Sequence, residues 1–323
     1  MILPPVRTVD YHTAGEPFRI VAAPPVTLRG ATVAERRMFA IDDPAVDGLR
    51  RVLCFEPRGH ADMYGCFVTS PNDTGAHFGA LFWHKDGFST ACGHGTIALG
   101  VWALRSGLVP ADRSGTTDVI IDVPSGRVTA RVHADHVDFV NVPSYVLASD
   151  VPVSGTVATL AFSGATYACV DAATLGLTVT RDRLPELIRV GREIKWALDS
   201  TARHPSDARL DGVYGTILFD DVGDLHRRNV TIFADGEVDR SPCGSGSASR
   251  VAVLAARGDL APGQALVHDS IVGSTFVCSV VATVTADGRP AVVPQITGHA
   301  YRCGSSEFTL DPRDPFVPGF VLR

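Results

Sequence analysis

Asp239-Arg240-Ser241-Pro242-Cys243-Gly244-Ser245-Gly246-Ser247 runs straight into the apolar segment Val251 to Ala256. In the same manner Phe88-Ser89-Thr90-Ala91-Cys92-Gly93-His94-Gly95-Thr96 runs into Ile97 to Leu104. Each reads as a cysteine on a tight turn that opens a helix. The two helices are expected over Thr96 to Ser106 and Ser247 to Arg257, because each carries an arginine in its last turn and is closed by a glycine, Gly107 or Gly258. A helix N-terminus presents unpaired backbone N–H groups and partial positive charge, which favour a thiolate and can hold a carboxylate. One activated cysteine suggests a nucleophile; two in matched settings suggest a pair of acid/base groups.

Around these turns, strand signals dominate. Val26 to Val33, Arg51 to Glu56, Gly79 to His84, Val119 to Val123, Arg127 to Val132, His136 to Val142, Thr156 to Phe162, Gly215 to Phe219, Asn229 to Phe233 and Phe276 to Val284 are short, β-branched or aromatic, and bounded by turn residues. Hairpin chemistry recurs at Asp86-Gly87, Pro124-Ser125-Gly126, Ala234-Asp235-Gly236 and Ala286-Asp287-Gly288. A third helix is expected over Leu184 to Asp199, with Leu184, Leu187, Ile188, Ile194 and Leu198 near one face. The fold class that follows is α/β in the α+β sense, strand-rich and mostly antiparallel. The matched cysteine helices predict two similar halves, each a curved sheet wrapped on one apolar helix, with the cysteines facing one another across the cleft between them. The expected division places residues 1–126 with about 306–323 in the half carrying Cys92, and 127–305 in the half carrying Cys243.

Composition narrows the function. The chain has 323 residues, 45% hydrophobic and 20% charged, which is ordinary for a globular protein with a large core. A formal charge of −6 without a Lys/Arg cluster argues against nucleic acid or an anionic membrane surface as partner. The start, Met1-Ile2-Leu3-Pro4-Pro5-Val6-Arg7, lacks a secretory pattern, and no run of about 18 apolar residues occurs, so a cytoplasmic location is expected. The seven cysteines are odd in number, spread out and free of CxxC spacing, which points to neither a disulfide framework nor a zinc ribbon. The histidines show no His-Glu-x-x-His pattern, so neither a metal nor a cofactor is expected. Gly244-Ser245-Gly246-Ser247 lacks the Gly-Lys-Ser/Thr ending of a phosphate loop.

Two cysteines on opposite sides of a small molecule suit stereoinversion: one thiolate takes a proton from carbon and the opposing thiol returns one from the other face. With a thiol reference pKa of about 8.5, modest stabilisation by the helix end is expected to make the base available near neutral pH. The carbon acid would be the α-carbon of an amino acid, whose growing enolate charge the N–H groups of Gly93-His94 and Gly244-Ser245 can meet. Asp239 or His94 could hold the substrate amine. His12-Thr13-Ala14-Gly15-Glu16-Pro17 reads as a turn shaping the cleft; His60 and Asp62 could reach the site, although their spacing decides nothing.

Cys92-Gly93-His94-Gly95, the 239–246 motif, His12 to Pro17, and Met63-Tyr64-Gly65 together resemble the proline racemase family over nearly the whole chain. The resemblance implies a fold similar to diaminopimelate epimerase, catalysis without pyridoxal phosphate or metal, and Cys92 and Cys243 as the acid/base residues. It further implies Gly93, His94, Asp239, Gly244 and Ser245 as substrate contacts, with Asp239 and His94 near the ring nitrogen. The partner implied is a small imino acid; a homodimer is left open. In this family epimerases keep both cysteines, whereas dehydratases of trans-3-hydroxy-L-proline commonly replace one by threonine or serine. Both cysteines favour a hydroxyproline 2-epimerase acting on 3- or 4-hydroxyproline, or on proline. The stretch Gly87 to Gly95 followed by Ile97-Ala98-Leu99 resembles instead the dehydratase branch, which keeps that lyase activity as an alternative. A non-enzymatic amino-acid-binding protein on the same scaffold is the third.

Overall fold

The computed structural model describes residues 4–113 and 115–322; the expectation drawn from Met1 to Leu3 lies outside them. The chain builds one arrangement of elements twice. In the first series, strands β1 (Val6–Thr13) and β2 (Glu16–Val21) form a hairpin, and helices α1 (Val33–Asp42) and α2 (Pro44–Cys54) cross over to β3 (Tyr64–Thr69). β4 (Phe78–His84), the short β5 (Gly87–Phe88), helix α3 (Gly93–Arg105), β6 (Thr117–Val123), β7 (Gly126–Val132) and β8 (Val137–Val140) follow. After β9 (Tyr145–Val153) comes the second series: the hairpin β10 (Thr156–Phe162) and β11 (Thr166–Asp171), then a crossover carrying helix α4 (Leu184–Leu198) to β12 (Val213–Gly223). β13 (His226–Phe233), the short β14 (Glu237–Asp239), helix α5 (Gly244–Arg257), β15 (Ala265–Ser270), β16 (Thr275–Ala286) and β17 (Arg289–Gly298) complete it, and β18 (Ala300–Phe308) returns to pair with β1.

The strand pairings repeat as well. β2–β3 and β4–β6 are parallel while β3–β4, β4–β5, β6–β7 and β7–β8 are antiparallel. In the second series β11–β12 and β13–β15 are parallel while β12–β13, β13–β14, β15–β16 and β16–β17 are antiparallel. Pairing of β8 with β17 joins the two sheets. The expected cut at 126 falls in the turn of the fully paired β6–β7 hairpin. β7 and β8 supply Ala130, Val132 and Val137 against Gly100 of α3, so they go with the first helix, and so does the whole of β18.

Each cysteine helix is buried nearly all round. In α3 every residue from Gly93 to Gly100 is buried, and in α5 every residue from Gly244 to Leu254. A helix enclosed by a curved sheet has no solvent face, which explains the mostly small and apolar run after each cysteine, interrupted by His94 in α3 and Arg250 in α5. Two expected strands do not form: one is irregular and the other helical. Val26 to Val33 is irregular up to Thr32, whose hydroxyl accepts from the Glu35 N–H while the Glu35 carboxylate accepts from Thr32, a capping box that starts α1. Arg51 to Glu56 largely belongs to α2, begun by Asp43 accepting from Ala45 and Val46 with Pro44 in the first turn. The Thr32 cap lies at the end of the stretch that suggested strand, and the Asp43 cap lies well upstream of the other. Leu184–Leu198 is helical as expected. No helix among the described residues is long and apolar enough to cross a membrane.

The two cysteine helices meet end to end. A Cβ on Gly93 would lie 2.6 Å from the Gly244 Cα, and a Cβ on Gly244 would lie 2.6 Å from the Gly93 Cα. Backbone therefore touches backbone, and any side chain at either position forces the halves apart. Gly93→Ala and Gly244→Ala are each expected to lower the unfolding free energy by about 1–3 kcal/mol. Gly304→Ala, where a Cβ meets nothing within 4 Å, is expected to leave the denaturation midpoint within error of the parent. Equal midpoints for all three variants would contradict this packing.

Candidate active site

Cys92 and Cys243 are the N-cap residues of α3 and α5. The Cys92 Sγ accepts from the Gly95 N–H at 3.3 Å, and the Cys243 Sγ accepts from the Gly246 N–H at the same distance. The matched motifs thus produce matched local geometry. The next N–H groups, of Gly93 and His94 and of Gly244 and Ser245, belong to first helical turns that no intrahelical carbonyl can satisfy. Backbone conformation separates the two cysteines: Cys92 is extended, with φ −156°, whereas Cys243 sits at φ +64° and ψ 108°. A non-glycine residue there costs on the order of 1–3 kcal/mol and is held by its surroundings. Part of the hold is visible: the Cys243 N–H donates to the Ser241 hydroxyl at 3.0 Å, and that hydroxyl donates to Asp239 at 2.7 Å.

Both thiols line one closed cavity with His94, Asp239, Ser245 and Tyr214, of about 10 Å³. Five of the seven residues singled out from sequence therefore converge on a single space. Gly93 and Gly244 do not line it; they form the helix-to-helix contact beside it. The His94 ring lies with Nδ1 3.5 Å and Nε2 3.6 Å from the Cys92 Sγ. Burial lowers its pKa to about 3, so the imidazole is neutral. Tyr64 and Phe18 meet it edge to face, at 5.1 and 5.6 Å between centroids.

The thiols do not behave as the helix ends alone suggest. Burial pushes both pKa values up, outweighing the Gly95 and Gly246 N–H groups that pull them down, and the charge of Asp239 pushes the same way as burial. The expectation of a thiolate available near neutral pH is corrected accordingly: desolvation in this closed cavity keeps both thiols protonated. Asp239 is itself raised to about 6 by burial, against the Ser241 N–H and hydroxyl that favour its ionised form.

Three tyrosines wall the cavity; sequence reasoning quoted Tyr64 only within the Met63-Tyr64-Gly65 motif and did not single out Tyr167 or Tyr214. Tyr167 hydrogen-bonds the Ser245 hydroxyl at 2.7 Å and lies 3.9 Å from the Cys243 Sγ. Tyr64 hydrogen-bonds Ser89, and Tyr214 at 2.9 Å. Burial keeps all three phenols neutral. Tyr167 sits in a strand run that reads as ordinary core, and Tyr214 follows a helical crossover, so only tertiary structure brings them together. Tyr214 also lines an outer cavity of about 360 Å³ with Arg37, Ser89, Thr90, Lys195 and Trp196. The Tyr64–Ser89–Tyr214 hydroxyl cluster stands where the two cavities adjoin.

The early motifs act as struts. The Thr13 hydroxyl donates to the His94 carbonyl at 2.8 Å, Glu16 accepts from the Arg240 N–H at 2.7 Å, and Asp62 pairs with the Arg240 guanidinium at 2.8 Å. The first half thereby grips the loop carrying Asp239 and Cys243, in keeping with a turn that shapes the cleft. Close by, His84, Asp86 and Glu237 present ligand atoms within 4.8 Å of one another. Here the His84 Nδ1 lies 3.2 Å from Glu237 and the Lys85 ammonium 3.6 Å from Asp86, so side chains of the protein already face both carboxylates.

Comparison with known proteins agrees with this geometry. The sequence profile of the proline racemase family matches residues 8–321. A trans-3-hydroxy-L-proline dehydratase of Colwellia psychrerythraea is 41% identical over 98% of this chain and 93% of its own length. A 3-hydroxyproline 2-epimerase of Burkholderia multivorans is 43% identical over 98% of both chains. A crystal structure of an Agrobacterium vitis hydroxyproline epimerase with bound trans-4-hydroxy-L-proline superposes with a TM-score of 0.89 at 30% identity, covering 98% of this chain and 96% of that one. With its whole length matched and its twofold-repeated α/β architecture shared, this chain belongs to the proline racemase family.

Proposed function

We propose that the protein is a 2-epimerase of a hydroxylated proline, working by proton transfer between Cys92, the substrate α-carbon and Cys243. The observation that carries this reading is the pair of thiols, capping two abutting helices and lining one cavity. Similarity to the Burkholderia 3-hydroxyproline 2-epimerase supports it. In the forward direction one sulfur, as thiolate, takes the α-proton, leaving a carbanion conjugated with the substrate carboxylate. The opposing thiol gives its proton to the other face of that carbon and becomes the thiolate, so the enzyme ends with the roles exchanged. First-turn N–H groups at 93–94 and 244–245 meet the growing enolate charge.

Substrate binding supplies what the free site lacks. A secondary ammonium placed beside Asp239 offsets the charge that holds the thiols up, and so eases loss of one thiol proton as the substrate enters. The cavity of about 10 Å³ is too small for a five-membered ring; entry therefore parts the Tyr64–Ser89–Tyr214 cluster toward the outer cavity. The pairing repeat supports two halves of about 4–141 with 299–322, and 142–298. Six buried free cysteines and an exposed free Cys303 suit a reducing, cytoplasmic setting.

A second reading is trans-3-hydroxy-L-proline dehydratase, favoured by similarity to the Colwellia enzyme. The two reactions share the carbanion and part afterwards: it is reprotonated, or it expels the 3-hydroxyl as water with a proton and yields a cyclic enamine that tautomerises to the imine. Incubation with 3-hydroxyproline, 4-hydroxyproline and proline in deuterated water, read by chiral chromatography and mass, separates them. Inverted product carrying an α-deuteron is expected. Imine as the sole product would replace the epimerase reading, and neither α-exchange nor imine from any of the three would overturn both.

Cys92→Ser and Cys243→Ser are each expected to reduce inversion by about 10²–10⁴-fold; full inversion by either would contradict the two-thiol mechanism. Because Asp239 holds the substrate ammonium only when ionised, and its raised pKa is about 6, kcat/KM is expected to fall as pH drops through about 6. In Asp239→Asn that acid limb should vanish along with most of the activity. A parent enzyme with a flat profile from pH 7 to pH 5 would remove Asp239 from this role.

A further inference from the structure

Helix α3 begins in the catalytic cavity and ends about 20 Å away, at its rise of roughly 1.5 Å per residue, beside a second cavity of about 420 Å³ lined by Arg105, His133, His136, His299 and Tyr301. The histidines at this far end sit on the turn between β7 and β8, His133-Ala134-Asp135-His136-Val137-Asp138, closed by the His133 N–H donating to the His136 carbonyl at 2.9 Å. Nε2 of His133 is 3.1 Å from one oxygen of Asp138, and Nε2 of His136 is 3.9 Å from the other. The three ligand atoms all lie within 4.8 Å of one another. We propose that His133, His136 and Asp138 form a binding site for a divalent transition-metal ion, remote from the proton-transfer chemistry.

The outer contacts carry the argument as much as the inner ones. Nδ1 of His136 lies 2.7 Å from the Asp135 carboxylate, and Nδ1 of His133 lies 3.2 Å from the Thr116 hydroxyl. A histidine that ligates a metal through one nitrogen regularly has the other nitrogen engaged in this way, which fixes the ring and makes the free nitrogen more basic. With the ring protons on Nδ1, two Nε2 lone pairs and a carboxylate only 8% exposed face one another. A divalent ion between them would meet two imidazole lone pairs and a carboxylate oxygen. The Arg131 guanidinium, next to Asp138 in the fold, is already paired with Asp118 at 2.8 Å. Asp138 is held in place by the Thr297 hydroxyl, which donates to it at 2.6 Å.

Two imidazoles with one carboxylate match zinc, cobalt or nickel better than magnesium or calcium, which prefer oxygen throughout. The rings now stack at 4.2 Å between centroids and 15° between planes. Coordination requires each ring plane to contain the ion, so the stack must splay by rotation about χ2, which half-exposed rings on a turn permit. Water from the adjoining cavity would complete the coordination. The pattern is absent from helix-based zinc motifs because its ligands come from a hairpin turn.

The test uses Co²⁺ with the intact protein, by calorimetry and by anomalous diffraction from soaked crystals. One ion per chain is expected, about 2.0–2.2 Å from both Nε2 atoms and an Asp138 oxygen. His133→Ala and His136→Phe, the latter keeping an aromatic ring on the stack, should each weaken Co²⁺ binding at least about tenfold. Neither should change the rate of inversion. No anomalous peak at the turn, unchanged affinity in both variants, or loss of binding only in Cys303→Ser would overturn the proposal and leave an ordinary histidine–aspartate ion pair.

Discussion

Everything in this molecule is arranged around a contact that has no side chain in it. Gly93 and Gly244 bring the ends of two buried helices so close that a single Cβ would lie 2.6 Å from the opposing backbone. Each helix is enclosed by its own sheet, and the sheets are joined through β8 and β17. The cysteines are therefore fixed relative to each other by the two scaffolds, with no mobile loop between them. Orientation of this kind is what a reaction with one carbon and two opposed proton carriers needs, since misplacing either sulfur removes the benefit of both.

That closeness has an electrostatic consequence. Two helix N-termini face the same small space, and each offers an N–H to its own sulfur at 3.3 Å. In water such help lowers a thiol pKa; here burial wins and both thiols rise. The larger effect is decided by the absence of solvent, not by the helix. In the proposed reaction the ammonium of a cyclic imino acid would both anchor at Asp239, whose charge raises the thiols, and by offsetting that charge ease loss of a thiol proton. Ligands without that charge would leave the sulfurs protonated.

How much could be read in advance follows the range of each interaction. The cysteines, their helices, and the convergence of His94, Asp239 and Ser245 on one cavity were legible because capping and glycine turns act over a few residues. So were eight of the eighteen strands among the described residues. The helices α1 and α2 were not: the strand-like stretch Val26 to Val33 runs into the Thr32 cap and hides it, and the Asp43 cap lies upstream of the apolar stretch that suggested strand. The tyrosine wall was hidden for a different reason. Tyr64, Tyr167 and Tyr214 come from three strands, and beyond the short motif around Tyr64 nothing local distinguishes them from core aromatics. Where one half ends and the other begins depends on β8 and β18, which pair with the sequence-distant strands β17 and β1.

The two halves repeat their strands faithfully, yet they differ where the chemistry lies. Cys92 is extended and has a neutral imidazole at 3.5 Å; Cys243 is held at positive φ and has a phenol at 3.9 Å. A reversible inversion requires the two sulfurs to be comparable acids, since each is base in one direction and acid in the other. The divergence respects that requirement. Both neighbours are uncharged, burial is the largest influence on each thiol, and Asp239 acts on both in the same direction. What differs is shape, and shape is what must differ, because the opposite faces of a substituted proline ring are not mirror images.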